Sequence, residues 1–275
     1  MNLPLVLGTD YATGIIWPPP LLPLGIKTLS DDLGDHARTI AGRVAGFETS
    51  LGRIAASWQS QIAALAGRAR DAREQGRLIR LAALREQVSG HLQRLGYERL
   101  AVQFVAGYRL SETELREIAS EAGMKLPVLP ASTLTALRDI DTARFVRAGE
   151  NAVALVSENV MLNVLGDLTR REVVNGIRDS IDSTLRRYAI TYADTGLHSY
   201  DRTVQWETWK QAEIESFRYE GPDDDKTREW CRARIGKTFT REQIEDMDNG
   251  QGLLPVSEFG GGWNCRHRFS PILEK

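Results

Sequence analysis

The strongest constraint on this chain is a run of apolar residues that recurs at alternating steps of four and three. Leu33, Ala37, Ile40, Val44, Phe47, Leu51, Ile54 and Trp58 keep that rhythm. Two apolar positions in every seven make a seam, and a seam is buried only when a helix packs lengthwise on another helix. Ser30, followed by Asp31 and Asp32, reads as the N-cap and acidic first turn of that helix. After Trp58 the next seam residue is Ile62, four on again, a stutter that locally unwinds a supercoil. Leu65, Ala69 and Ala72 continue the seam, which weakens at Gly76 and resumes around Ile79. The pattern leaves three partners open: a second copy, a later helix of the same chain, or the helix folded back on itself.

Helical signals continue to about residue 200. Gly96 and Gly107 punctuate the chain, and Ser111 with Glu114 reads as a capping box that opens a helix ending near Gly123. Pro127 and Pro130 mark a connection. Further helices are expected from about Ser132 to Arg147, from Asn151 to Asn175 with Val153, Val156, Val160 and Val164 on one face, and from Ile177 to Tyr192. The stretch from Arg202 to Glu215 reads as a last helix or a passage from helix to strand. The expected fold is mainly α: a long helical arm and a helical bundle with a small, loop-rich α+β module at the C-terminus. Its divisions fall at 1–30, a Pro-rich extended arm; 31–130, the heptad-bearing region; 131–216, the bundle; and 217–275, the terminal module.

Function classes narrow quickly. The 275 residues carry a net charge of −2, so overall charge does not mark a nucleic-acid binder. Between Arg68 and Arg99 arginines outnumber acids, which suits a solvated helix face or one that meets an acidic partner or DNA backbone. Two cysteines cannot build a disulfide scaffold, the first residues lack the basic start of a signal peptide, and no apolar run is long enough to span a bilayer. A cytosolic origin is expected.

Chemistry-bearing residues concentrate from Phe217 to Pro271. Cys231, Cys265 and His267 lie there, with Asp223, Asp224 and Asp225 and the glycines Gly260, Gly261 and Gly262. Cys265 and His267 are one residue apart, so on an extended segment both point to one side. With Cys231 from across the module, and Asp225, Asp224 or water as a fourth donor, they form a candidate structural zinc site. The spacing is not that of a standard finger, and the thiols have two other states open: free and buried beside a hydrogen-bonded histidine, or joined in a disulfide. Phe217 and Tyr219 alternate as in a short strand. A short helix from Asp225 to Arg232 is expected to be capped by the aspartates, and one over Phe239–Met247 by a Thr240/Gln243 box. Catalytic motifs are weak. Gly236-Lys237-Thr238 resembles the end of a phosphate loop, but the first glycine of that motif would fall at Cys231. A metal-dependent nuclease using the aspartates with Cys231 and His267 is the rival enzymatic reading.

These residues also carry a resemblance. Phe217, Tyr219, Gly221-Pro222 and Asp224 are followed by Thr227-Arg228 and Cys231, Gly236-Lys237, Phe239-Thr240 and Asn249-Gly250. Gly261-Gly262, Asn264-Cys265-Arg266-His267 and Pro271 complete the run. This pattern, with Tyr192 to Arg202 before it, is similar to the C-terminal region of the phage head morphogenesis family, the Mu F-like minor head proteins. The likeness covers roughly residues 145–272; many members have a Cys-x-x-Cys where this chain has Cys231 alone. It implies a non-enzymatic minor component of a tailed-phage head, associated with portal protein and with major capsid or scaffold protein during procapsid assembly. It further implies a part in packaging or ejection of DNA, no membrane partner, and residence in the virion after assembly in the host cytoplasm. Some members carry a fused toxin domain, for which the few residues after Pro271 leave no room.

Overall fold

A computed structural model describes residues 29–71, 79–80, 83–124, 131–166 and 168–272, and the backbone of 8–9 and 16–17. Of the Pro-rich arm expected over 1–30, residues up to 28 lie outside the described residues, except for a short antiparallel ladder, β1 (Gly8–Thr9) with β2 (Ile16–Trp17), and its last two residues, Leu29 and Ser30, are helical. The seam residue Ala72 and the connection at Pro127 and Pro130 also lie outside them.

Helix α1 runs unbroken from Leu29 to Arg70. Its buried face is Leu33, His36, Ile40, Val44, Phe47, Leu51, Ala55, Trp58, Ile62, Leu65, Ala66 and Ala69. The seam is real, but His36 and Ala55 take the places expected of Ala37 and Ile54, which are half-buried. Ser30 lies inside the helix rather than capping it, and its hydroxyl donates to the carboxylate of Glu220 in the terminal module. The seam is met by later helices of the same chain. These are α2 (Leu84–Arg94), α3 (Tyr97–Ala106), α4 (Tyr108–Glu121), α5 (Ala131–Leu165), α6 (Arg170–Ile181) and α7 (Arg187–Gln211). A π-helical turn over Asp182–Arg186 joins the last two. Trp58 shows how polar groups are satisfied inside this bundle: buried against α2, its indole N–H donates to the Val88 carbonyl at 3.0 Å. Phe47, Phe104, Phe145, Tyr108 and Tyr200 form a connected aromatic centre, with Phe47 and Phe104 centroids 4.7 Å apart.

Several expected boundaries differ. Ser111 is not a cap; it is buried in α4 and accepts from Arg43. No break falls between Arg147 and Asn151, because Gly149 is there for contact: a Cβ would lie 2.7 Å from the Tyr97 ring. Tyr97 cannot retreat easily, since its hydroxyl donates to the Phe145 carbonyl at 2.7 Å. The break falls instead at 166–169, where Thr169 and Glu172 form a full capping box for α6. The chain then stays helical through Tyr192 and on to Gln211.

The terminal module is built on an antiparallel sheet of order β4-β3-β5, from β3 (Ser216–Glu220), β4 (Thr238–Thr240) and β5 (Arg268–Pro271). Phe217 pairs with Phe239, and Tyr219 with Phe269. Alternation turns Phe217 and Tyr219 into the core, as expected for a half-buried strand. Three short helices decorate the sheet: α8 (Glu229–Arg232), α9 (Arg241–Glu245) and α10 (Val256–Phe259). The Thr240/Gln243 capping box is present. The aspartates do not cap α8, whose N-cap position is Arg228. The fold is mainly α with a small α+β part, and one apolar core runs from α1 through β5. No helix among the described residues is long and apolar enough to cross a membrane.

Candidate metal centre

Cys231 is carried by α8, and Cys265 and His267 by the segment entering β5. Their ligand atoms all lie within 4.8 Å of one another. Cys231 Sγ is 3.9 Å from Cys265 Sγ, and Cys265 Sγ is 3.8 Å from His267 Nδ1. Both cysteines are free, so a disulfide is not what this structure holds. A tetrahedral ion with metal–sulfur bonds of about 2.3 Å requires sulfur–sulfur edges of about 3.8 Å. The sulfur–sulfur spacing already suits such an ion.

The histidine is aimed. His267 Nε2 lies 2.9 Å from the Pro222 carbonyl, which can only accept, so the ring proton sits there and Nδ1 turns its lone pair to the sulfurs. A backbone carbonyl orienting the distal nitrogen is the usual support of a metal-ligating histidine. Tyr219 stacks on the imidazole at 5.3 Å, with planes 6° apart. Its hydroxyl is 3.5 Å from Cys231 Sγ and 3.7 Å from Cys265 Sγ. Burial first, then the two thiols, raises the Tyr219 phenol far above its usual value, so it remains a donor to sulfur. The Gly261 N–H also donates to Cys265 Sγ at 3.1 Å. The Cys231 hydrogen bond, and then the Arg202 charge, lowers the Cys265 thiol well below its ordinary range despite burial.

The walls explain the glycines. A Cβ on Gly261 would overlap Cys231 Sγ, one on Gly260 would lie 2.8 Å from Cys265 Sγ, and one on Gly221 would lie 2.5 Å from the His267 ring. Gly221 and Pro222 thus bring backbone onto the histidine, while Gly260 and Gly261 bring it onto the sulfurs. Cys231, Cys265 and His267 are only 2%, 2% and 3% exposed.

Asp225 does not join the group. It is exposed on the loop, and among the described residues three side chains make up the cluster. Asp224 is used otherwise. Its carboxylate takes two bonds from Arg266, at 2.6 and 2.7 Å, and one from the Lys226 N–H. The Arg266 hydrogen bond holds that carboxyl well below the usual carboxylate range. A four-coordinate ion here would need one donor beyond these three side chains.

Arg202, on α7, holds the knot against the bundle. It is 3% exposed and donates to three carbonyls: Glu258 at 2.6 Å, Cys265 at 2.9 Å and His267 at 3.0 Å. Asp194 and His198 precede it at helical spacing on the same face, with His198 Nε2 3.6 Å from Asp194 Oδ1. Burial, then the Arg202 charge, lowers His198 to about 4, so it is neutral near pH 7. Burial raises Asp194 to about 6 against the pull of Arg202 and Arg266. Sequence periodicity could not single out Arg202 as the clamp, because its three acceptors are backbone atoms.

A second polar cluster lies where α1, α4 and α7 meet. His36 Nδ1 is 3.0 Å from Glu114 Oε2, and His36 Nε2 is 2.6 Å from Asp201 Oδ1. Arg43 reaches Ser111 and Glu114, and Gln205 donates to Asp201 at 2.7 Å. Burial lowers the His36 value, but the carboxylates of Asp201 and then Glu114 outweigh it, and the net shift is upward. The sequence hid this network, because a histidine on an apolar seam and a Ser/Glu pair at capping spacing both have commoner explanations. Comparison with protein-family models, with curated proteins and with solved structures gives no significant match.

Proposed function

We propose that this chain is a minor head protein of a tailed bacteriophage, a non-catalytic part that joins the portal or capsid during procapsid assembly and aids DNA packaging or ejection. We propose also that Cys231, Cys265 and His267 hold a structural zinc ion. The observation that carries this is the way the resemblance-bearing residues are used. Gly221, Pro222, Asp224, Arg266, Gly261, the three ligands and Arg202 all serve one sealed knot. Three protein ligands and a water also describe catalytic zinc, but a catalytic ion must meet a substrate. Here the ligands are buried and their walls are set by glycine contacts. A cavity of about 780 Å³, between α2, α3 and α5, is lined by other residues. The nuclease alternative is weakened because Asp224 is bound by Arg266 and Asp225 stands apart from the cluster.

The test is to mix the purified chain with the portal protein of the same phage and measure mass during size-exclusion chromatography. Co-elution at a defined ratio supports the assembly role. Separate elution from portal, capsid and scaffold proteins, with metal-dependent cleavage of DNA, overturns it in favour of the nuclease. Binding to DNA alone, with steep salt dependence, favours the arginine-rich face.

A further inference from the structure

We infer that the outward face of α5 is a homodimer interface, on which two copies of this chain lie antiparallel about a two-fold axis. The inner face of this helix is satisfied: Val153, Val156, Val160 and Val164 are buried. The outer face is apolar as well. Ile140 is 51% exposed, Leu155 43%, Leu162 59% and Leu165 53%, with Met161 beside them at 37%. Scattered exposed leucines need no explanation, but these share one line. Ile140, Ala143, Arg147, Asn151, Leu155, Glu158, Leu162 and Leu165 recur at steps of three and four, and every one is exposed. A helix apolar on both faces is expected where both are covered. The line is about 38 Å long at the rise of an α-helix, enough for a lengthwise helix contact.

The charges on this line select the occupant. Arg147 and Glu158 lie equally far on either side of the midpoint between Ala152 and Val153. Neither has an ion-pair partner in its own chain among the described residues. An antiparallel two-fold pairing sets Arg147 of each copy against Glu158 of the other. The same register sets Ala143 opposite Leu162, small against large, and Ile140 opposite Leu165. Parallel pairing in register would instead set Arg147 against Arg147 and Glu158 against Glu158. The face is therefore complementary to itself in the antiparallel sense.

Sedimentation equilibrium on the full chain, with circular dichroism as a check on folding, tests this. The native chain is expected at twice 30.7 kDa. Leu162→Glu, at a position that carries no core contact, is expected as a folded monomer. Arg147→Glu and Glu158→Arg each make two symmetric pairs repulsive and are expected to raise Kd about tenfold. The double reversal Arg147→Glu with Glu158→Arg is expected to restore native affinity. A native chain that stays monomeric at every concentration overturns the inference, as does a dimer that Leu162→Glu leaves intact. A double reversal no tighter than the single variants overturns the antiparallel register.

Discussion

Replacing Arg202 by alanine tests how the terminal module is fixed to the bundle. The guanidinium serves three carbonyls, those of Glu258, Cys265 and His267. Two of them belong to metal-ligand candidates, so the loss acts on the knot directly. Each buried acceptor left unpaired costs about 1–3 kcal/mol. Water entering the space left by the side chain recovers part of that. Three acceptors at the low end give about 3 kcal/mol, and about 5 kcal/mol with partial recovery from the upper end. Whole-domain stability is about 5–15 kcal/mol, so the change removes a large share of it. Arg202→Lys keeps the charge but not the fork; one ammonium cannot span three acceptors, and about half the loss is expected. Urea denaturation gives the magnitude, and amide hydrogen exchange over 256–272 gives the place, with helical circular dichroism preserved. A loss below about 1 kcal/mol for the alanine variant, or a lysine variant equal to native, would refute the clamp.

Other outcomes follow from named contacts. His36 has a folded value raised above 6.5 by Asp201 and Glu114, so its contribution is full below pH 6.5 and is lost as pH rises through the folded value. The melting temperature should therefore fall with rising pH in that window, and His36→Gln should flatten the slope; equal slopes would contradict the assignment. Gly261→Ala sets a methyl against Cys231 Sγ and 3.4 Å from the Trp230 ring, and should cost about 1–3 kcal/mol while lowering zinc content. Gly149→Ala should cost a similar amount, about 1–3 kcal/mol, by pressing on Tyr97, without changing zinc content; a neutral result would mean α3 and α5 separate readily. Thr240→Ala removes the cap of α9 and should cost about 1 kcal/mol in urea denaturation.

Sequence carried the helical periodicity well, because burial of one helix face leaves a repeating trace. The seam of α1 and the valine face of α5 are both legible for that reason. Boundaries were less legible. Gly149 and Ser111 have residue types that end or start helices, but here they serve tertiary contacts inside one. The Cys231, Cys265 and His267 grouping was legible because such residue types are rare in this chain. That neither Asp224 nor Asp225 joins the group was not legible, since it depends on Arg266 landing on Asp224 and on Asp225 staying exposed. Arg202 and His36 were hidden, because their partners come from distant segments or from the backbone.

Native mass spectrometry of the chain, purified without chelator and reconstituted with zinc, tests the metal centre most directly. About one zinc per chain is expected, with a higher melting temperature when it is bound, and none in Cys265→Ser. A native chain that stays at its metal-free mass after reconstitution, with its melting temperature unchanged, would contradict the zinc assignment.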